Sequence, residues 1–164
     1  MAFIIAALVI IADQLTKYLY VSCGAGDITL IPGLLGLTYV ENRGAAWGMF
    51  GDHQLLLYIF SGLVTAAILG FYIWKYKKMN ALLRIALALV IAGAVGNLID
   101  RIMLNYVRDM IRFLFIDFPI FNVADSAITI GGALILIDVI FFEKDETSHD
   151  GETVQTEQNE NGNK

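Results

Sequence analysis

The chain has few of the residues from which most catalytic and metal sites are built. Of its 164 residues, one is cysteine and two are histidine. A lone Cys23 excludes an internal disulfide and every cysteine-cluster metal site. It reads as a small residue at the interface end of an apolar stretch. His149 falls in a polar C-terminal tail, which leaves only His53. A zinc peptidase of the H-E-x-x-H type needs two histidines on one helix face, and none is here. No G-x-S-x-G elbow supports a Ser-His-Asp triad on His53, and there is no phosphate-binding glycine loop. Charge is also scarce, at 16% of residues against about 25% in ordinary soluble domains. Residues 143–164 hold seven acids (Glu143, Asp145, Glu146, Asp150, Glu152, Glu157, Glu160) and two lysines, which accounts for the whole net charge of −5. The rest of the chain is neutral overall. No basic face remains to neutralise phosphates, so a nucleic-acid partner is not expected.

What is abundant is apolar, 57% of the residues. Leu55–Trp74 is twenty residues without a charge, enough to cross a bilayer core of ~30 Å as a helix. Three further stretches qualify less cleanly. One lies near the N-terminus and contains Asp13 and Lys17, one is Ala81–Ile99 with Arg84, and one is Phe118–Phe142 with Asp125 and Asp138. The expected architecture is an all-α membrane protein with four transmembrane helices, spanning about 3–22, 55–74, 81–99 and 119–142. The first stretch lacks a basic n-region and a small-x-small cleavage site, so it reads as a helix rather than a secretory signal. Between the first two spans, residues 23–53 carry the β-prone runs Ile28–Ile31 and Leu35–Glu41, divided by Pro32-Gly33 and Gly36, and read as a small extracytoplasmic β-rich loop region. The tail 143–164, with Val154 its single aliphatic residue and no aromatic, is expected to be disordered. Lys75, Lys77 and Lys78 sit in the hairpin between spans two and three. Under the positive-inside rule they place that hairpin, both termini and the tail in the cytoplasm. The margin is small, because Lys17, Arg43, Arg101, Arg108 and Arg112 fall on the other side.

Polar residues inside the spans carry the functional signal. An ionisable group at mid-membrane costs ~3 kcal/mol on insertion scales, so it usually has a partner or a task. Asp13 and Lys17 stand at i, i+4 with the acid first, the favourable order for an intrahelical pair. Gly93, Gly96, Asn97 and Asp100 share one helix face, and Asn122 and Asp125 share another. Asp109 lies between these two sets. Two carboxylates held ~3 Å apart share one proton, which gives an acid and a base at one site. Such a pair activates a water against an amide carbonyl and protonates the leaving nitrogen, with no metal or cofactor. Residue types alone leave the pair open among Asp100, Asp109, Asp117 and Asp125. Asp117 also suits a cap for the fourth helix, with Pro119 just after it. Arg108 is expected to stabilise ionised Asp109. The Asn42-Arg43-Gly44-Ala45-Ala46-Trp47-Gly48 segment offers an amide for a peptide group, small residues for close approach, and interfacial aromatics in Trp47 and Phe50.

Four motifs in order resemble the bacterial lipoprotein signal peptidases: Asp13-Gln14-Leu15-Thr16-Lys17, Asn42-Arg43-Gly44-Ala45-Ala46-Trp47, Gly96-Asn97-Leu98-Ile99-Asp100-Arg101 and Phe121-Asn122-Val123-Ala124-Asp125-Ser126. The resemblance covers roughly residues 1–142. It implies an aspartic endopeptidase of the cytoplasmic membrane that cuts prolipoproteins before a diacylglyceryl-modified cysteine. Asp109 and Asp125 are the implied catalytic pair. The family's Val-Val-Asp-Phe-like segment here reads Val107-Arg108-Asp109-Met110, so Asp109 is assigned by its spacing from Asp100. The resemblance further implies that Asn42, Gly44 and Arg101 meet substrate. Asn97, Asn122 and Asp100 would orient the site, and Asp13 and Lys17 would support it from the first helix. Membrane lipid and lipidated substrate are the expected partners, and a monomer is expected. Two other readings remain. One is a non-catalytic four-helix membrane protein, such as a transporter subunit or assembly factor, whose buried polar groups hold helices together. The other is a serine peptidase using Ser126 with Lys17.

Overall fold

The computed structural model describes residues 1–24, 26–44 and 54–141, apart from the side chains of Gln54 and Leu57. Trp47, Phe50, His53 and the tail 143–164 lie outside the described residues. Four long helices are present: α1 (Ala2–Ser22), α2 (Gln54–Lys75), α3 (Ala81–Leu104) and α4 (Val123–Phe141). All four are long and apolar enough to cross a membrane. The third helix runs five residues past the expected end, and the fourth begins four residues after the expected start.

Burial is inverted relative to a water-soluble domain. The largest fully buried side chains are Lys17, Asn122, Asp13, Asp100 and Asp109, all polar, while Phe3, Leu8, Leu55, Phe60, Leu63, Trp74 and Leu136 are more than half exposed. That pattern fits helices whose outer faces meet hydrocarbon and whose polar groups satisfy one another inside.

Helix α3 is the hub, packed on α4, α1 and α2. Its approach to α4 depends on missing side chains. A Cβ at Gly93 would stand 2.3 Å from the Ala124 carbonyl oxygen, and one at Gly96 would stand 2.8 Å from the Asp13 carboxylate. At the other end Asn80 caps α3 by accepting from the Leu83 N–H at 2.8 Å, and its amide donates to Asp138 of α4 at 2.6 Å.

The β-rich region is a three-stranded antiparallel sheet in the order β1 (Ile28–Ile31), β2 (Leu35–Asn42), β3 (Val107–Phe113). The first two strands match the expected runs. The third comes from the α3–α4 connection, outside the 23–53 loop. Helix α3 ends at Asn105, whose left-handed φ of 64° lets the chain reverse into β3. Strand β3 is then held on both sides. It pairs with β2, setting Asp109 opposite Val40 and Val107 opposite Asn42. It also bridges to Phe121, with Ile111 and Phe121 exchanging N–H···O bonds of 2.8 and 2.9 Å. Those bonds keep the chain extended up to the residue before α4.

Candidate active site

The site is assembled where α1 and α3 end and α4 begins. Helix α4 opens with a reciprocal cap. The Asp125 N–H donates to Asn122 Oδ1 at 2.8 Å, and Asp125 Oδ2 accepts from the Asn122 N–H at 3.2 Å. This is the capping-box arrangement. A second cap comes from α1, as Asp13 Oδ1 accepts from the Ala124 N–H at 2.9 Å. Asp117, expected as the cap, is exposed and makes no hydrogen bond to the start of α4; it lies instead on the wall of the cavity that Asp109 and Asp125 border. The bridge to Phe121 delays the helix start beyond its reach.

Asp109 is 1% exposed and both its oxygens are occupied. Oδ1 accepts from Asn122 Nδ2 at 2.6 Å, and Oδ2 accepts from Asn42 Nδ2 at 2.9 Å. Asn42 in turn accepts from the Gly44 N–H at 3.1 Å. Asp125 Oδ1 accepts from Asn97 Nδ2 at 2.7 Å. Asn122 ties the two halves together, since its amide also donates to Asn97 Oδ1 at 3.0 Å. Burial pushes the Asp109 carboxyl up to about 6 and the nearby Asp125 charge pushes the same way, against the lowering hydrogen bonds from Asn42 and Asn122.

Beneath this pair lies a separate ionic layer. Lys17 Nζ stands 2.7 Å from Asp13 and 3.4 Å from Asp100, and donates to Asn97 Oδ1 at 3.1 Å. The Asp13–Lys17 pair is therefore present, and it reaches across to α3. Arg108 turns away from Asp109. Its guanidinium donates to the two Asp100 oxygens at 2.7 and 3.1 Å, and its backbone N–H donates to Asp100 at 3.0 Å. Neighbouring residues on a strand point to opposite faces, so Arg108 and Asp109 cannot serve one another. The Asp100 carboxylate holds the Arg108 guanidinium above its ordinary range. Gln14, which the sequence reading quoted without a role, donates to Asp100 at 3.1 Å and to the Gly96 carbonyl at 3.0 Å, and accepts from Arg108 at 3.0 Å. Its place inside the Asp13–Lys17 motif was the available signal. Ser126 donates to the Asn122 carbonyl at 3.0 Å, and Lys17 is committed to two carboxylates, so no serine–lysine pairing forms.

Asp109 and Asp125 both border a cavity of about 1080 Å³, together with Asn42, Gly44, Asn97 and Arg101. Its remaining wall includes Phe60, Val64 and Thr65 of α2, Ile128 and Ile130 of α4, and Phe113, Phe118 and Phe121. Asp13, Lys17 and Asp100 do not line it. The cavity is thus polar at its Asp109–Asp125 end and mainly apolar along α2 and α4. Among the described residues no group of histidine, cysteine, aspartate and glutamate is arranged to hold a metal ion.

The model of the signal peptidase (SPase) II family, Peptidase_A8, matches residues 5–141. The chain belongs to that family. A lipoprotein signal peptidase of Lactobacillus johnsonii is 48% identical over 145 residues, covering 87% of this chain and 94% of that protein. One from Enterococcus faecalis is 42% identical over 144 residues, covering 87% and 89%. A bacterial membrane enzyme solved by the in meso method at 1.9 Å resolution superposes with a TM-score of 0.76 at 36% identity, covering 86% of this chain and 93% of that one. Membership of the signal peptidase II family makes the molecule a peptidase, and its four apolar helices make it a multi-pass membrane protein. The resemblance seen in the four motifs is borne out.

Proposed function

We propose that this chain is an aspartic endopeptidase that removes the signal peptide from prolipoproteins, cutting before a diacylglyceryl-modified cysteine with a water held between Asp109 and Asp125. The observation that carries this reading is the contrast among the buried acids near the site. Asp13 and Asp100 are ion-paired and face away from the cavity. Asp109 and Asp125 line the cavity and are held by amides alone. Amide donors fix a carboxylate's geometry without cancelling its capacity to take and return a proton.

In the reaction, one carboxyl of the pair is protonated and the other ionised. The ionised carboxylate takes a proton from the water as its oxygen attacks the scissile carbonyl carbon. The protonated carboxyl then gives its proton to the leaving nitrogen as the C–N bond breaks. Arg101, at the cavity wall, holds substrate backbone and stabilises the developing oxyanion. Asn42, Asn97 and Asn122 keep the two carboxyls aimed. Asp13, Lys17 and Asp100 hold α1, α3 and β3 in register beneath them. The signal helix and acyl chains of a prolipoprotein fit the apolar walls along α2 and α4. The site then lies near the outer face of the bacterial cytoplasmic membrane, with both termini in the cytoplasm, and a single copy suffices.

The test incubates the purified protein with a synthetic prolipoprotein, its cysteine either lipidated or bare, with a chelator present. Cleavage before the lipidated cysteine only, lost in Asp125→Asn and Asp109→Asn with little change in thermal stability, is the expected result. Asp100→Asn strips a partner from the buried Lys17 and the partly buried Arg108, and is expected to cost ~3–5 kcal/mol of stability. Normal turnover by Asp109→Asn, with loss confined to Asp100→Asn, would move the pair. No cleavage by folded wild type would return the carboxylates to a packing role in a non-catalytic membrane protein.

A further inference from the structure

At the end of the bundle opposite the carboxylates, the α2–α3 connection is a 3₁₀ turn, Tyr76–Lys78. Lys75, Lys77 and Lys78 crowd it, and Arg84 joins them from the start of α3. None of these four cations has a carboxylate partner among the described ion pairs. The buried acid at this end, Asp138, is occupied by Asn80 at 2.6 Å.

The turn is built on aromatic rings. Arg84 lies over the Tyr76 ring at 4.7 Å, Tyr76 meets Tyr72 edge-on at 5.4 Å, and Phe3 of α1 touches both. Tyr72 is only 2% exposed, yet its hydroxyl has no hydrogen-bond partner, and neither does the buried Nε of Arg84. Two buried polar atoms unsatisfied around one ring are costly for packing alone. Both can donate, so what is missing is an acceptor. The surrounding cations make that acceptor an anion.

The surface leading to the turn says where the anion comes from. Trp74 and Ile73 are 75% and 65% exposed on a membrane-spanning helix. Lys75 Nζ sits 4.4 Å over the Trp74 ring. A tryptophan and a lysine so placed mark headgroup level, with acyl chains alongside.

We propose that the α2–α3 turn is a binding site for the phosphate of an anionic lipid headgroup, held by Arg84, the Tyr72 hydroxyl and the lysines of the turn. Basic pockets between membrane helices suit such headgroups. The site is independent of the peptidase chemistry, which lies at the far end of the same helices. A purely topological role for the lysines leaves the Tyr72 and Arg84 donors unexplained.

The test uses the full chain, stripped of lipid in detergent and offered equal amounts of phosphatidylglycerol and phosphatidylethanolamine, with retained lipid read by native mass spectrometry. Wild type is expected to retain phosphatidylglycerol preferentially. Arg84→Gln should reduce that retention about fivefold or more. Tyr72→Phe keeps the ring and the packing, so folding is safe, and it should reduce retention as well. Equal retention of the two lipids by wild type overturns the proposal, as does an unchanged preference in both variants. Displacement by sn-glycerol 3-phosphate at matching concentration reassigns the site to a soluble phosphate. A preference seen only after truncation at Glu143 assigns the turn to the acidic tail instead.

Discussion

At the scale of single residues, the protein separates acids that share an environment by what they touch. Asp100 meets two cations and a glutamine, whereas Asp109 meets two amides. Burial raises the Asp109 carboxyl to about 6, helped by the Asp125 charge and opposed only by the two amide hydrogen bonds and the more distant Lys17. A raised carboxyl holds its proton below that pH and loses it above. The leaving nitrogen needs that proton, so kcat/KM is expected to fall as pH rises through about 6, because this parameter reports the free enzyme. The midpoint belongs to the Asp109–Asp125 pair rather than to one residue. Bound substrate fills the cavity and removes all but the attacking water from around the pair, which disfavours the ionised form further. The corresponding limb in kcat should therefore lie at higher pH than the limb in kcat/KM. Both come from one pH series of initial rates on a lipidated peptide. A kcat/KM that climbs through pH 6 would assign the pair's proton the wrong role.

At the scale of elements, the site depends on how closely α3 approaches α4. Gly93 and Gly132 are both glycines within membrane helices, and they predict opposite outcomes. A methyl group at Gly93 runs into the Ala124 backbone at 2.3 Å and Ile128 at 2.7 Å, one turn from Asn97 and beside the α4 cap. Gly132 has nothing within 4 Å. Gly93→Ala is expected to lower Tm and turnover together. Gly132→Ala should leave turnover intact and stabilise by up to ~1 kcal/mol, the ordinary helix preference for alanine. Thermal unfolding in detergent compares the two. The glycine face of α3 was legible in the sequence because helical spacing is local. So were the four spans, from their long apolar runs, and the shared face of Asn122 and Asp125, from its three-residue spacing. That these two residues cap α4 was not, because the expected span begins at 119 and the expected cap is Asp117. Strand β3 was not read as a strand. Its seven residues are fixed by pairing with β2, some seventy positions earlier, and with Phe121, and neither pairing leaves a local period long enough to recognise. That one omission produced the error at Arg108, whose side chain a strand must aim away from Asp109. It also left the carboxylate pair open, since only the register of β3 sets Asp109 beside Asn42 and Asn122.

At the scale of the whole molecule, the direction of insertion follows from no single element, and counting charges does not decide it. Among the described residues, four basic side chains (Lys75, Lys77, Lys78, Arg84) fall at one end and five (Lys17, Arg43, Arg101, Arg108, Arg112) at the other. The second group is largely committed to the site and the sheet. Lys17 and Arg108 are locked onto buried acids, and Arg101 lines the cavity. Residues so used cannot be read as topology signals, whereas Lys75, Lys77 and Lys78 can, and they favour a cytoplasmic α2–α3 turn. The sole cysteine supplies the measurement. Cys23 is exposed and follows the last turn of α1, at the carboxylate end. In intact cells a membrane-impermeant maleimide is expected to label Cys23 directly. A Lys78→Cys substitution in a Cys23→Ser background should react only after permeabilisation. The reverse pattern would put the Asp109–Asp125 pair at the inner surface. A prolipoprotein whose lipidated cysteine has already crossed the membrane could not reach it there, so the labelling result constrains the substrate as well as the topology.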